Sequence, residues 1–86
     1  MEYSLYIAEE VDKKFIKLAK KDKKQLEMIN KKIIQIQNNP FHYKPLRGDM
    51  HGSRRVHVGS FVLVYEVDEK SKIIKILDYD HHDYIY

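Results

Sequence analysis

The segment SRRVHVGSFVLVYEVD, residues 53–68, decides the fold. Apolar and polar residues alternate up to the pair Gly59-Ser60, and β-branched and aromatic residues dominate beyond it, as in two strands joined by a tight turn. A two-residue turn with glycine first favours the type II′ geometry. The segment therefore predicts a β-hairpin with strands at about Ser53–Val58 and Phe61–Asp68.

This turn also predicts the register of the hairpin, because a two-residue loop makes the residues on either side of it direct partners. Arg55 and His57 should then point to the face opposite the apolar core, about 7 Å apart along the strand. Val62, Val64 and Glu66 are expected beside them on that same face. The predicted pairs are Val58 with Phe61, His57 with Val62, Val56 with Leu63, and Arg55 with Val64.

The residues before the hairpin predict one strand and two helices. Glu2–Ile7 alternates in polarity, which indicates a strand. A helix is expected from Glu9 to about Lys21, with Val11, Phe15, Leu18 and Ala19 as its apolar stripe. Asp22 and Gln25 have the spacing of a capping box and predict a second helix that ends before Asn38-Asn39-Pro40, with Leu26, Ile29, Ile33 and Ile36 buried.

A loop and a last strand complete the predicted fold. Both prolines and two of the three glycines lie within Pro40–Gly52, which indicates a loop. The final strand is expected at about Lys72–Tyr79. The predicted class is α+β, with the order β-α-α-β-β-β and a helical hairpin on one face of a small, mainly antiparallel sheet whose other face stays open.

Length and composition restrict the class of protein. With 86 residues, the chain predicts a single domain over residues 1–86. Its lack of cysteine suits a reducing compartment, and neither a signal peptide nor a membrane-spanning stretch is recognisable. We therefore expect a cytoplasmic protein that does not insert into membranes.

Charge is distributed unevenly along the chain. Nine lysines and two acids lie between Lys13 and Lys32, whereas six acids and three lysines lie between Glu66 and Tyr86. A basic helical face attracts polyanions, although lysines that only solvate the helices would give the same pattern. The lysines that we single out as candidate RNA contacts are Lys17, Lys20, Lys24 and Lys31.

The groups able to do chemistry concentrate in the second half of the chain. Arginines can hold a phosphate, and imidazoles titrate near neutral pH and can therefore move protons. Such a set suits the cleavage of a phosphodiester. Its members are Arg47, Arg55, His57, His81, His82 and Tyr86.

Four short motifs follow the predicted helices in order. They are Pro45-Leu46-Arg47-Gly48, Arg55-Val56-His57-Val58, Phe61–Val67, and His81-His82-Asp83-Tyr84-Ile85-Tyr86. Their order and spacing resemble the RelE/ParE toxin superfamily, specifically its RelE-type messenger-RNA endonucleases. The resemblance covers essentially the whole chain and implies a β-α-α-β-β-β fold, a cognate RelB-like antitoxin, and cleavage of mRNA in the ribosomal A site. A toxin–antitoxin heterotetramer is a further expectation.

The resemblance also implies roles for individual residues. Arg47 matches a phosphate-contacting arginine, and Arg55 and His57 fall where members place two basic residues or, in a histidine-using branch resembling the YafQ toxins, an R-x-H arrangement. Val62 stands where some members carry a catalytic arginine. His82, four residues before Tyr86, stands where many members have arginine.

From these residues we expect a metal-independent endoribonuclease that needs no cofactor. The predicted catalytic residues are Arg55, His57, His82 and Tyr86, with the two imidazoles as acid–base pair and His82 favoured as the acid. The predicted RNA or phosphate contacts are Arg47, Arg54, His81 and the four helical lysines. A metal site is not expected, because the histidines lack the spacing of zinc ligands and adjacent His81 and His82 should point apart on a strand.

Two other functions fit the same residues. A gyrase-targeting toxin of the ParE type would share the fold and would not need the histidines to converge. A non-catalytic RNA- or ribosome-binding module would use the lysine-rich helices alone.

Overall fold

In the computed structural model, which describes residues 3–43 and 52–85, the chain has the predicted α+β order followed by one extra helical turn. The last strand is two residues longer than predicted at its end, and the short helix α3 follows it directly. The elements are β1 (Ser4–Ile7), α1 (Glu9–Lys21), α2 (Lys23–Asn38), β2 (Ser53–Val58), β3 (Phe61–Asp68), β4 (Ile73–His81) and α3 (His82–Ile85).

The four strands form one sheet in the order β1-β4-β3-β2, with β1 parallel to β4 and the other pairs antiparallel. The hairpin register is the predicted one, from Val58 opposite Phe61 to Arg55 opposite Val64. Gly59 has a φ of 64°, and Ser60 is not among the residues with positive φ. This combination is the type II′ pattern, so the turn prediction is confirmed.

The two long helices pack on one face of the sheet and enclose the core. Val11 and Phe15 of α1 and Ile29, Ile33 and Ile36 of α2 are buried there, as predicted. Ala19 is exposed instead, so the predicted stripe of α1 is too wide. The buried sheet residues in this core are Val56, Val58, Leu63, Tyr65, Ile74, Ile76 and Tyr79.

The start of α2 shows how tertiary contacts modify a local signal. Asp22 caps the helix by accepting a hydrogen bond from the Gln25 amide, at 3.1 Å. The Gln25 side chain does not return to Asp22, as a capping box requires. Its Nε2 donates instead to the Val58 carbonyl at 2.9 Å and to the Tyr79 hydroxyl at 2.8 Å. Of the two hydrogen bonds of the predicted capping box, the one from the Gln25 amide to the Asp22 side chain is present and the one from the Gln25 side chain to Asp22 is not.

The face of the sheet opposite the helices, which we call the outer face, is not open throughout. Val62 and Val64 point to it but expose only 0% and 3% of their surface. Both lie in β3, one of the two interior strands, between the outward side chains of β2 and β4, and α3 lies against β3 and β4. The prediction of an open outer face is therefore wrong at its centre.

Within residues 3–43 and 52–85, every helix is too short or too polar to cross a membrane.

Candidate active site

Strand β2 presents two of the predicted catalytic residues side by side. Side chains alternate along a strand, and the register sends Arg55 and His57 to the outer face while Val56 and Val58 enter the core. Two strand residues span about 7 Å, so one phosphate can contact both side chains. This predicted pair is thus brought together as expected from the sequence.

A cleft of about 510 Å³ opens beside this pair, along β2, which is an edge strand of the sheet. Apart from Val56 of the same strand, the residues that line it with Arg55 and His57 come from the middle of α2 and from the segment after it. They add a cation, a second imidazole and an aromatic ring: Lys32, His42 and Tyr43. Such a lining combines groups that hold a phosphate, stack on a base and transfer protons.

Hydrogen bonds hold the segment after α2 in place and so position His42 and Tyr43. The Tyr65 hydroxyl donates to the Pro40 carbonyl at 2.7 Å, and the Arg54 guanidinium donates to the Tyr43 carbonyl at 2.7 Å. The Tyr43 hydroxyl donates to Gln35 at 2.9 Å. His42 therefore enters the cleft from a backbone that the core itself anchors.

Arg54 lies on the helical face, opposite to Arg55. Besides its bond to Tyr43, its guanidinium lies over the ring of Phe41, 5.1 Å from the centroid. These contacts give Arg54 a clear structural function beneath the cleft. Its predicted contact with RNA remains a prediction.

The outer face continues from β2 to β4 as two rows. His57 lies opposite Val62, which lies opposite Asp80; Arg55 lies opposite Val64, which lies opposite Asp78. Strand β4 thus contributes carboxylates to these rows. The Lys14 ammonium lies 4.0 Å from Asp78 and 3.7 Å from Asp80 and donates to the Tyr79 carbonyl at 2.7 Å, which partly offsets their charge.

The two tail histidines lie at the turn end of the sheet. His81 packs edge-on against Phe61, with ring centroids 5.6 Å apart, and the His82 amide donates to the Ser60 carbonyl at 3.1 Å. The rings of His81 and His82 lie 4.4 Å apart. The prediction that these side chains point apart is wrong, because the strand ends at His81 and His82 begins a helix.

The remaining predicted site residues fall into two groups. Arg47 and Tyr86 lie outside the described residues. Lys17, Lys20, Lys24 and Lys31 are exposed on the two long helices.

Sequence reasoning missed the three cleft residues from α2 and the segment after it. Lys32 follows Ile29 by three positions and precedes Ile36 by four, so it flanks the buried stripe of α2, and this spacing was the available signal. His42 and Tyr43 follow Pro40 in a predicted loop, and no local pattern indicates where such a segment packs.

The buried phenols near the site are structural. Burial raises the pKa of Tyr65 from 10.0 to about 12 and also raises the pKa of Tyr79. Both hydroxyls take part in hydrogen bonds inside the fold, to Pro40 and Gln25 respectively. Neither is therefore available as a proton donor near neutral pH.

The sequence matches a family model, and the match spans nearly the whole chain. The model describes the ParE toxin of the type II toxin–antitoxin system parDE, and residues 5–86 match it.

Two archaeal relatives align with the chain almost from end to end. An uncharacterized protein of Methanosarcina mazei is 52% identical over 98% of the chain and 99% of its own length. A Methanocaldococcus jannaschii protein named "Putative toxin RelE4" is 48% identical over 98% of the chain and 90% of its own length.

Among solved structures, the fold is similar to a chain of the RelBE2 toxin–antitoxin complex of Mycobacterium tuberculosis. The TM-score is 0.80 at 21% identity, over 95% of this chain and 100% of that one. At this identity the likeness establishes the fold alone.

Proposed function

The chain is a member of the ParE toxin family of type II toxin–antitoxin systems, within the RelE/ParE superfamily, and from that premise we propose that it is a ribosome-dependent mRNA endonuclease. It cleaves message in the ribosomal A site through attack of an RNA 2′-hydroxyl on the adjacent phosphate. The reaction needs no metal ion, because side chains supply both proton transfers and the charge that stabilises the phosphorane.

One observation carries the proposal: Arg55 and His57 share a cleft with Lys32 and His42. Two cations beside His57, the proposed base, suit an anionic transition state that requires proton transfer. The proposed acid, His82, lies outside this lining, at the turn end of the sheet. The guanidinium of Arg55, together with that of Arg47, holds the scissile phosphate through paired hydrogen bonds.

His57 acts as the base that deprotonates the 2′-hydroxyl, and His82 acts as the acid that protonates the leaving 5′-oxygen. His57 lies on β2 and His82 directly follows β4, whose backbone is two strand spacings, about 10 Å, from that of β2. Tyr86 then stacks on a base or orients it.

This site differs from that of some other superfamily members in the source of one positive charge. Val62, which replaces an arginine found in some members of the superfamily, is fully buried and supplies no charge. Lys32 supplies a cation from the helix side of the cleft instead. His42 contacts the RNA beside the scissile bond, and Arg54, His81 and the helical lysines add affinity for the surrounding RNA.

A RelB-like antitoxin is the proposed partner, in a cytoplasmic heterotetramer. The similar structures include complexes of RelE with RelB and of YoeB with YefM, which supports an antitoxin for this chain.

The ParE-type function remains the rival, because the matched family model is named for ParE. A gyrase-targeting toxin would induce DNA breaks in expressing cells and leave message intact. A non-catalytic RNA-binding module would lose its toxicity when Lys17, Lys20, Lys24 and Lys31 are neutralised and keep it when the histidines are replaced.

The test is cleavage of mRNA on programmed ribosomes by the parental chain and by His57→Ala and His82→Ala. Each substitution should slow single-turnover cleavage by about 10²–10⁴-fold, the usual contribution of one proton-transfer group. His42→Ala should raise KM and leave kcat near the parental value. Parental rates in both the His57 and His82 variants would refute the assignment.

A further inference from the structure

The junction of β4 and α3 brings three metal-ligating side chains together. One ligand atom from each of His81, His82 and Asp83 lies within 4.8 Å of the other two. The Asp83 carboxylate faces both imidazoles: Oδ2 lies 3.4 Å from His81 Nδ1, and Oδ1 lies 3.1 Å from His82 Nδ1.

These separations suit a tetrahedral metal ion. Bonds of about 2.0–2.1 Å to nitrogen and oxygen place neighbouring ligand atoms of a tetrahedron about 3.3 Å apart. The carboxylate-to-imidazole distances of 3.4 and 3.1 Å, each to a different oxygen of Asp83, lie near that value. His81 Nδ1 accepts a long hydrogen bond from the Asp83 amide at 3.3 Å, so the nitrogen carries a lone pair, and a metal ion at the cluster takes the place of this bond.

The backbone around the cluster is anchored to the sheet. The His82 amide donates to the Ser60 carbonyl, and the His81 ring packs against Phe61. Two ligands thus begin from fixed positions, which lowers the entropic cost of assembling the site. All three side chains retain access to solvent, so an ion can enter and a water molecule can complete its coordination.

We propose that His81, His82 and Asp83 form a binding site for a Zn²⁺-like divalent ion. Two imidazoles, one carboxylate and an open position make a donor set that Zn²⁺ accepts and that Mg²⁺, which prefers oxygen, does not. A bound ion occupies the imidazole of His82 and removes it from proton transfer. Zn²⁺ therefore inhibits RNA cleavage, a consequence that rests on the proposed function.

Binding is tested first, without reference to activity, by calorimetric titration of the tag-free chain with ZnCl₂ and with MgCl₂. One equivalent of Zn²⁺ should bind, and Mg²⁺ should not. Asp83→Asn and His81→Ala should each weaken Zn²⁺ binding at least tenfold. Asp78→Asn, an exposed carboxylate on β4, and His42→Ala, a histidine outside the cluster, are matched controls and should change the affinity less than twofold.

Several outcomes overturn the site. They are absence of Zn²⁺ binding, unchanged affinity in Asp83→Asn and His81→Ala, and loss of binding in His42→Ala. Circular dichroism melting of each variant establishes that it is folded before its affinity is interpreted.

Cleavage on programmed ribosomes, with free Zn²⁺ fixed by a metal buffer, then tests the consequence. Zn²⁺ should slow the parental chain at least tenfold and leave Asp83→Asn at its metal-free rate. If Zn²⁺ binds at the cluster without slowing cleavage, the site stands and the role of His82 as acid fails. If the parental chain does not cleave RNA even without metal, the proposed function fails, and the titration alone decides the site.

Discussion

Arg54 and Arg55 are adjacent and carry the same guanidinium group, yet β2 sends them to opposite faces of the sheet. Arg54 bonds to the Tyr43 carbonyl and lies over Phe41, so it supports the wall of the cleft. Arg55 lines the cleft itself. The chemistry available to each residue is therefore decided by the alternation of the strand.

The same reasoning separates two adjacent lysines of α2. Lys32 lines the cleft, whereas Lys31 is exposed on the helix. Lys32→Gln should raise KM for ribosome-bound mRNA about tenfold, the equivalent of one charge-assisted hydrogen bond. Lys31→Gln is the matched comparison and should have a clearly smaller effect. Equal effects of the two substitutions would show that RNA binds to the helices at large and not in the cleft.

Because the phenol of Tyr65 is buried, we expect the protein to lose stability at alkaline pH. Its pKa is raised by burial to about 12, from 10.0. Between these values the unfolded chain loses the phenolic proton while the folded chain retains it, so the free energy of unfolding falls as pH rises. The fall attributable to Tyr65 should reach on the order of 2 kcal/mol near pH 12.

Urea unfolding of Tyr65→Phe from pH 8 to 11.5 checks this. The variant should be less stable at pH 8, because the Pro40 carbonyl loses its donor, and its stability should fall less steeply with pH. Tyr84→Phe removes an exposed hydroxyl and should follow the parental profile. An identical alkaline slope in Tyr65→Phe would contradict the prediction.

At the level of elements, α2 and the β2–β3 hairpin depend on each other. Helix α2 supplies core residues, a cleft cation in Lys32, and the Gln25 amide that bonds to the Val58 carbonyl and the Tyr79 hydroxyl. The hairpin supplies Arg55 and His57. The cleft therefore exists only when the helix is docked on the sheet.

Gln25→Ala tests this docking. Loss of the side chain leaves the Val58 carbonyl and the Tyr79 hydroxyl without their donor, which should cost about 1–3 kcal/mol in the free energy of unfolding. Gln35→Ala removes an exposed hydrogen bond from Tyr43 and should cost less than about 0.5 kcal/mol. Similar unfolding free energies for the two variants in urea would argue against the bridging role of Gln25.

Gly59 tests the turn that fixes the hairpin. An added Cβ would meet ordinary contacts, at 3.5 Å from Gln25 and 3.7 Å from Met28, so crowding is not the obstacle. The obstacle to a side chain is the positive φ of 64°, which is unfavourable for any L residue. Gly59→Ala should cost about 1–2 kcal/mol in thermal or urea unfolding, and Ser60→Ala should be nearly neutral. A neutral Gly59→Ala would contradict the type II′ assignment.

For the whole molecule, charge is arranged on separate surfaces. Four lysines singled out in the sequence lie exposed on α1 and α2, whereas Asp78 and Asp80 flank the outer face on β4. The cationic cleft lies at the far strand, β2. In the proposed function, the lysines of α1 and α2 therefore attract RNA over a distance, and the cleft at β2 acts on a single phosphate.

Neutralising Lys17, Lys20, Lys24 and Lys31 together to Gln separates these two contributions. The variant should bind RNA with a weaker dependence on salt, because fewer counterions are released. Cleavage of saturating ribosome-bound message should stay near the parental rate. A salt slope equal to the parental one, measured by fluorescence anisotropy, would show that these lysines do not contact RNA.

Local sequence patterns are sufficient for the order of the elements up to β4, for the hairpin register and for the shared face of Arg55 and His57, because each follows from periodicity and from a turn whose geometry glycine specifies. Which further groups meet that pair depends on how distant parts of the chain pack together. Lys32 and His42 reach the cleft because α2 docks across the hairpin and Tyr65 holds the segment after the helix.

The burial of Val62 and the meeting of His81 with His82 likewise depend on the whole fold. Val62 is buried on an interior strand against which α3 packs, and the two imidazoles converge because β4 ends at the hairpin turn and a helix begins there. Periodicity along a chain reports which way a side chain points. It does not report what packs against that side chain from elsewhere in the sequence.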